Sequence, residues 1–228
     1  MIYGKMVQGQ FIRKVNRFIA EVYIKGVKEE VHIKNTGRLT ELLRTGAEVL
    51  LEYSNNPNRK TKFSLISVKK EGRLVNIDSQ APNLVVFEAL KTESLSEFNH
   101  IKSVKREVTY GDSRFDLYYE NERGKGFIEV KGVTLERNGM ALFPDAPTTR
   151  GTKHVLELAK AVQDGYSCTI LFVIQMKGCT AFAPNKEVDP LFTDALIQAS
   201  AQGVRILAYD TIVRDNELIL NQPVSVQL

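Results

Sequence analysis

The sequence predicts an α/β (α+β) protein in two parts: a five-stranded β-barrel over residues 1–80, then a mixed β-sheet flanked by helices over residues 81–228. Three observations predict it. Short apolar runs separated by turn residues fill the first part, at the spacing of a small barrel. From residue 81 the pattern changes to the order α-β-β-β-α-β-α-β, which calls for a sheet covered by helices. The chain has 228 residues and is 43% hydrophobic, enough to bury cores of its own without staples.

In the first part, residues 10–25 hold two apolar stretches with basic residues between them. Gly26 precedes a strand from Glu29 to Lys34, and Leu39 to Leu43 forms about one helical turn. Gly46 precedes a strand from Ala47 to Tyr53. A polar loop, Ser54-Asn-Asn-Pro-Asn-Arg-Lys-Thr, separates it from Phe63 to Val68, and Leu74 to Ile77 follows Gly72. A partly open barrel of the oligonucleotide-binding (OB) type fits this series, and such barrels commonly bind nucleic acid.

In the second part, Pro82 suits the first turn of a helix, where its missing N–H costs nothing. Val85, Val86, Ala89 and Leu90 make its apolar face. Strands are expected near 104–109, 114–119 and 126–135, followed by a loop that contains Phe143-Pro-Asp-Ala-Pro147. A helix over about 149–163 closes at Gly165. The apolar run 167–174 reads as a buried strand. A helix at 190–201, a strand from Val204 to Tyr209 and an edge strand within 212–220 complete the chain.

Charge is divided unevenly. Residues 1–80 hold 15 Lys and Arg against 8 Asp and Glu, while the remainder holds 16 against 19. A basic barrel attracts a polyanion. Two cysteines, Cys168 and Cys179, make neither a disulfide framework nor a zinc site and suit a reducing compartment. No signal-peptide h-region and no spanning apolar stretch is visible, so a cytoplasmic protein with no membrane partner is expected. Oligomeric state is left open.

The chemistry centres on Asp116, Glu129 and Lys131. Gly124 and Gly126 mark a turn between the Asp116 and Glu129 strands, so a hairpin sets the two carboxylates side by side. Strand alternation puts Glu129 and Lys131 on one face and Val130 on the other. Two hard oxygen donors suit Mg²⁺ (or Mn²⁺), with Asp116, Glu129 and the Val130 carbonyl as ligands. Lys131 would orient or help deprotonate a water and neutralise developing charge, and Glu88 from the preceding helix would add a further carboxylate. As a bare pattern, Asp-x(12)-Glu-x-Lys arises often by chance, and a solvated charge pair is its bland alternative. The apolar neighbours Phe127, Ile128, Val130 and Val133 mark a central strand, where unpaired charges are costly without a function.

Candidate phosphate contacts are Arg13, Lys14, Arg17, Arg59 and Lys60 in the barrel, and Arg150, Lys153 and His154 near a helix start. Gln175, at the end of an apolar strand, is a candidate to point at the site. No Gly-rich phosphate loop and no helix-turn-helix is recognisable.

The chain resembles the sugar fermentation stimulation protein family over nearly its whole length. The residues that carry the resemblance are Asn35-Thr-Gly-Arg38, Ser113-Arg-Phe-Asp116, Glu129-Val-Lys131 with Val133-Thr-Leu135, Phe143-Pro-Asp-Ala-Pro147, Arg150-Gly151 with Lys153-His154, Phe172-Val-Ile-Gln175 and Asp189-Pro190. Ile33 and Lys34 stand where the family usually has Cys-Pro, and Gly132 where Ser or Asn is usual. The resemblance implies an OB-type barrel followed by a restriction-endonuclease-like domain of the PD-(D/E)XK kind. It further implies DNA as partner, with Arg38 and Arg114 joining the candidate contacts, and a role in regulating sugar (maltose) utilisation genes. Two functions follow as expectations: a Mg²⁺-dependent nuclease, or a non-catalytic DNA-binding regulator on the same scaffold. A sugar- or nucleotide-binding enzyme is a third, weaker reading.

Overall fold

The computed structural model describes residues 1–35 and 37–228; Thr36 of the Asn35–Arg38 motif lies outside the described residues. The first part forms β1 (Met6–Lys14), β2 (Ile19–Ile24), β3 (Val27–Ile33), β4 (Glu48–Tyr53), β5 (Phe63–Lys70) and β6 (Arg73–Asn76). The strands run in the order β3-β2-β1-β4-β5-β6, and a parallel pairing of β3 with β5, His32 against Ser64, closes five of them into a barrel. Alternate side chains fill it: Phe11, Val22, Val31, Ile33, Leu51 and Leu65 are buried, and side chains of this size suffice to fill a small barrel. The expected helical turn at Leu39 to Leu43 is present as backbone bonds from Leu42 N–H, 3.1 Å, and Leu43 N–H, 2.8 Å, to Leu39 O.

The second part opens with α1 (Ala81–Lys91), with Pro82 in its first turn. Then come β7 (Ile101–Tyr110), β8 (Ser113–Asn121), β9 (Gly124–Val133), β10 (Leu135–Arg137) and β11 (Met140–Phe143). After them follow α2 (Thr149–Gln163), β12 (Ser167–Ile174), β13 (Ala181–Pro184), α3 (Pro190–Ala201), β14 (Arg205–Val213), β15 (Leu218–Pro223) and β16 (Ser225–Val226). The main sheet runs β15-β14-β12-β9-β8-β7. The strands β9, β12 and β14 are parallel, and antiparallel partners lie outside them. Central strand β12 is buried along nearly its whole length, as a parallel strand covered on both faces must be. One face packs on α1 through Val85, Val86, Ile128 and Val130, and the other on α2 and α3 through Val155, Leu158, Phe172 and Phe192. Gly165 follows α2 with φ near +88°, the left-handed position expected after a helix end.

A second, four-stranded sheet, β10-β11-β13-β16, was not expected. Its strands are only two to four residues long, too short to show a period. It takes in part of the segment expected to be a loop before Pro147. No helix among the described residues is long and apolar enough to cross a membrane.

The barrel is joined to the sheet by a buried polar network. Gln175 Nε2 donates to Asn76 Oδ1 at 2.8 Å and to the Asp78 carbonyl at 3.1 Å, and Asn76 Nδ2 donates to the Tyr3 hydroxyl at 2.9 Å. Burial beside Asp78 raises the Tyr3 phenol well above its ordinary value. Gln175 therefore turns toward the barrel and not toward the carboxylates, because its amide donors are taken by acceptors at the end of β6.

Candidate active site

The ladder between β8 and β9 runs from Asn121 and Gly124 to Leu117 and Ile128 and stops there. Continued by one step, the register sets Asp116 opposite Glu129. At this point the alternation of β8 breaks: Phe115 belongs to the core under α2 and α3, whereas Leu117, two residues on, belongs to the core under α1. In an unbroken strand both would share a face. On the neighbouring strand Glu107, between Arg106 and Val108, takes a positive φ of 56°. Asp116 thus sits where the strand turns its side chains over and leaves the ladder.

Freed from strand pairing, the Asp116 carboxylate is held by two donors. Its Oδ2 accepts from the Val130 backbone N–H at 2.8 Å, and its Oδ1 accepts from Asn83 Nδ2 at 2.7 Å. Burial pushes its carboxyl up to about 6, with the negative charge of Glu129 as the next cause; the Val130 and Asn83 donors and Lys131 offset only part of this.

Glu129 is 2% exposed on β9. Its Oε1 accepts from Lys131 Nζ at 2.6 Å and from His154 Nδ1 at 2.5 Å. Burial alone would raise this carboxyl, but the His154 hydrogen bond and the Lys131 charge outweigh it and hold it below the ordinary carboxylate value. Its second oxygen, Oε2, is buried with no partner among the described residues. A buried ionised oxygen without a donor is expensive, and beside a second carboxylate it marks the place where a cation fits. Asp116, Glu129 and the Val130 carbonyl are the donors such a cation would use. Among the described residues no third His, Cys, Asp or Glu side chain joins them as a metal cluster. Two carboxylates are a donor set that a hard divalent cation can use while keeping several waters.

His154 is a correction to its expected role at a phosphate. It is 6% exposed, one turn into α2, and its ring lies beneath Glu129. Its Nε2 accepts from Arg150 Nε at 3.4 Å, so Nδ1 carries the proton donated to Glu129. Glu88 is a second correction. Its carboxylate pairs with the Met1 ammonium at 2.7 Å and does not reach Asp116. Five residues separate it from Asn83, which turns the two side chains to different sides of the helix. Asn83, the residue that does reach the site, carried no signal beyond its place in a helix's first turn.

The other candidate cations divide into committed and free. Arg13 is bound to Glu21 at 2.8 and 3.2 Å, Lys14 donates to the Gly37 carbonyl at 2.8 Å, Arg59 to Ser64 Oγ at 2.9 Å and Lys153 to the Asp112 carbonyl at 3.0 Å. Burial, helped by Arg17, lowers the Lys14 ammonium. Arg114 pairs with Glu107 at 2.8 Å. Arg17, Arg38, Lys60 and Arg150 are exposed, and none has a carboxylate partner among the described residues. Arg17 lines a cleft of about 380 Å³ between barrel and sheet, together with Asn35, Gly132, Pro144 and Gln175, so a barrel cation and the residue after Lys131 face the same space. Gly132 is required to be small there: a Cβ would lie 2.5 Å from Gln175 Oε1 and 2.9 Å from Pro82 Cγ.

Comparison with known proteins agrees with this architecture. The family model described as the SfsA N-terminal OB domain matches residues 12–77, and that of the sugar fermentation stimulation protein RE domain matches residues 80–217. A sugar fermentation stimulation protein homolog of Alkaliphilus oremlandii is 54% identical, covering 99% of this chain and 98% of its own. A homolog of Desulfitobacterium hafniense is 49% identical over 100% of this chain and 99% of its own. A solved structure of Pyrococcus furiosus SfsA in complex with Ca²⁺ has a TM-score of 0.92 at 30% identity, covering 100% of this chain and 98% of that one. The barrel, the mixed sheet and these matches together show that the chain belongs to the sugar fermentation stimulation protein family.

Proposed function

We propose that this protein binds DNA and hydrolyses its phosphodiester bonds with the help of a divalent cation, Mg²⁺ or Mn²⁺. One observation carries the reading: the unpartnered Glu129 Oε2, buried beside the raised Asp116 carboxyl, with Lys131 Nζ at 2.6 Å from the same carboxylate. Two carboxylates forced together and an orphaned oxygen cost stability, and a cation between them would return it. The Pyrococcus furiosus relative is a Ca²⁺ complex, and Ca²⁺ and Mg²⁺ are both hard cations that take oxygen ligands.

When bound, such a cation supplies positive charge at a phosphate oxygen and acidifies a water. The chain's own residues do the rest. His154 and the Val130 N–H fix the two carboxylates. Lys131, partly exposed beside Glu129, is placed to hold the attacking water or a non-bridging phosphate oxygen. Water adds to phosphorus, the ester P–O bond breaks, and the proton released ends on the departing oxygen. The OB-type barrel, with Arg17, Arg38 and Lys60 exposed, grips the strand. The proposed parts are residues 1–80 as the binding barrel and 81–228 as the nuclease domain.

The test is cleavage of single-stranded, duplex and flap DNA with Mg²⁺ or Mn²⁺ against EDTA, for wild type and Lys131→Ala. Metal-dependent products that vanish in the variant are expected. Binding without cleavage on every substrate would overturn the catalytic part and leave a DNA-binding regulator.

A further inference from the structure

Asn83, Phe87 and Lys91 stand at i, i+4 and i+8 on α1 and form one row along the helix. The row starts at the proposed site, where Asn83 holds Asp116. At its far end two cations share one aromatic ring: Lys91 Nζ lies 4.8 Å and the Arg106 guanidinium 5.7 Å from the Phe87 centroid. Arg106 is paired across β7 and β8 with Leu117, the residue after Asp116.

Two like charges on one ring repel, and the ring offsets only part of the cost. The nearby acids do not relieve it. Glu88 is taken by the Met1 ammonium at 2.7 Å, and Glu107 by Arg114 at 2.8 Å. Among the described residues neither Lys91 nor Arg106 has a carboxylate partner, and both are exposed. The pair is open to an anion from outside the chain. Lys91 stands eight residues, about 12 Å, along the helix from Asn83, a separation that one nucleic-acid strand spans with successive phosphates.

We infer that Lys91, Arg106 and Phe87 form a seat for a backbone phosphate of the nucleic-acid strand, a few nucleotides from the phosphate at Asp116 and Glu129. The inference rests on the nucleic-acid partner proposed above. The seat holds the backbone, and its ring, already covered by the two cations, is not offered to a base for stacking. It fixes the direction in which the strand leaves the carboxylates, along α1.

The test is binding in EDTA, where no cleavage intervenes, followed by fluorescence anisotropy on single-stranded and duplex DNA over a range of salt. The expected result for Lys91→Gln with Arg106→Gln is about a tenfold loss of affinity. The slope of log affinity against log salt should become shallower by about 0.7 to 0.9 for each phosphate no longer neutralised. Phe87→Leu keeps the apolar bulk, removes the ring and should fall between. Lys102→Gln with Lys105→Gln removes equal charge from β7, the strand that carries Arg106, and serves as the control. An unchanged affinity and slope in the Lys91/Arg106 variant, or an equal loss in the control, would overturn the seat while leaving DNA binding intact. Failure of the wild type to bind any nucleic acid would overturn the proposed function and the seat with it.

Discussion

His154 Nδ1 lies 2.5 Å from Glu129 Oε1, on the oxygen that also takes Lys131, so that only Oε2 is left for a cation. A histidine that orients a ligating carboxylate commonly controls metal affinity by 10- to 100-fold. His154→Ala is expected to weaken Ca²⁺ or Mg²⁺ binding by about that factor, as read by calorimetric titration. Arg150→Ala, acting only through the His154 Nε2, should weaken it less. Equal metal affinity in wild type and His154→Ala would mean that the cation does not use Glu129.

The Asp116 carboxyl has a folded value of about 6, raised above the roughly 3.9 of an unfolded aspartate. The folded state therefore binds more protons than the unfolded state between these values. Its stabilising share is complete below the unfolded value and is lost as pH rises through about 6, to a total of about 3 kcal/mol. Wild type should lose stability relative to Asp116→Asn over this window in urea unfolding measured at several pH values. Because Glu129 is the second cause of the shift, Glu129→Gln should move the Asp116 carboxyl midpoint down in a carbon NMR titration. A midpoint that stays in place would show that burial alone sets it.

Gly132 stands where a Cβ would meet Gln175 Oε1 at 2.5 Å and Pro82 Cγ at 2.9 Å. Gln175 cannot swing away freely, because its Nε2 is bound to Asn76 and Asp78. Gly132→Ala should therefore destabilise the protein by about 1 to 3 kcal/mol, the usual cost of overpacking. Gln175→Ala removes the obstructing oxygen, so the double variant should be less damaged than the sum of the singles. A double-mutant cycle by chemical denaturation measures this, and simple additivity would place the strain elsewhere.

Much of this site was legible because strand geometry is local. The turn at Gly124 and Gly126 and the period of two were enough to bring Asp116 against Glu129 and to put Lys131 beside it. The helix containing Val155 was legible from its apolar positions and the closing Gly165, and the strand through Leu171 from its continuous apolar run. What was not legible depended on long-range packing. Asn83 reaches Asp116 across 33 positions, and nothing in its own neighbourhood announces this. His154 looked like a surface cation at a helix start, because only the packing of α2 on the sheet decides that its ring goes inward. Glu88 was misplaced for the converse reason: its spacing along α1 points it away from Asp116 and toward Met1. The small sheet through Ala141 and Phe182 escaped notice because its strands are shorter than any period they could display.

The barrel cations give the last prediction, because the structure separates residues that composition treats alike. Arg13 is closed onto Glu21 at 2.8 Å, and a phosphate would have to displace that carboxylate to use it. Arg17, Arg38 and Lys60 are exposed and have no such partner among the described residues. That difference in pairing ranks the four. Replacing Arg17, Arg38 or Lys60 by Ala should each make the salt slope of DNA binding shallower by about 0.7 to 0.9, with a similar loss on every sequence tested. Arg13→Ala should leave the slope nearly unchanged, since its charge is already offset by Glu21, which Lys28 also holds at 3.2 Å. Salt-dependent anisotropy on the four variants checks this. If Arg13→Ala has the largest effect, the strand crosses the barrel on the face of β1 and β2 that carries the Arg13–Glu21 pair, and the cleft lined by Arg17 is not its path.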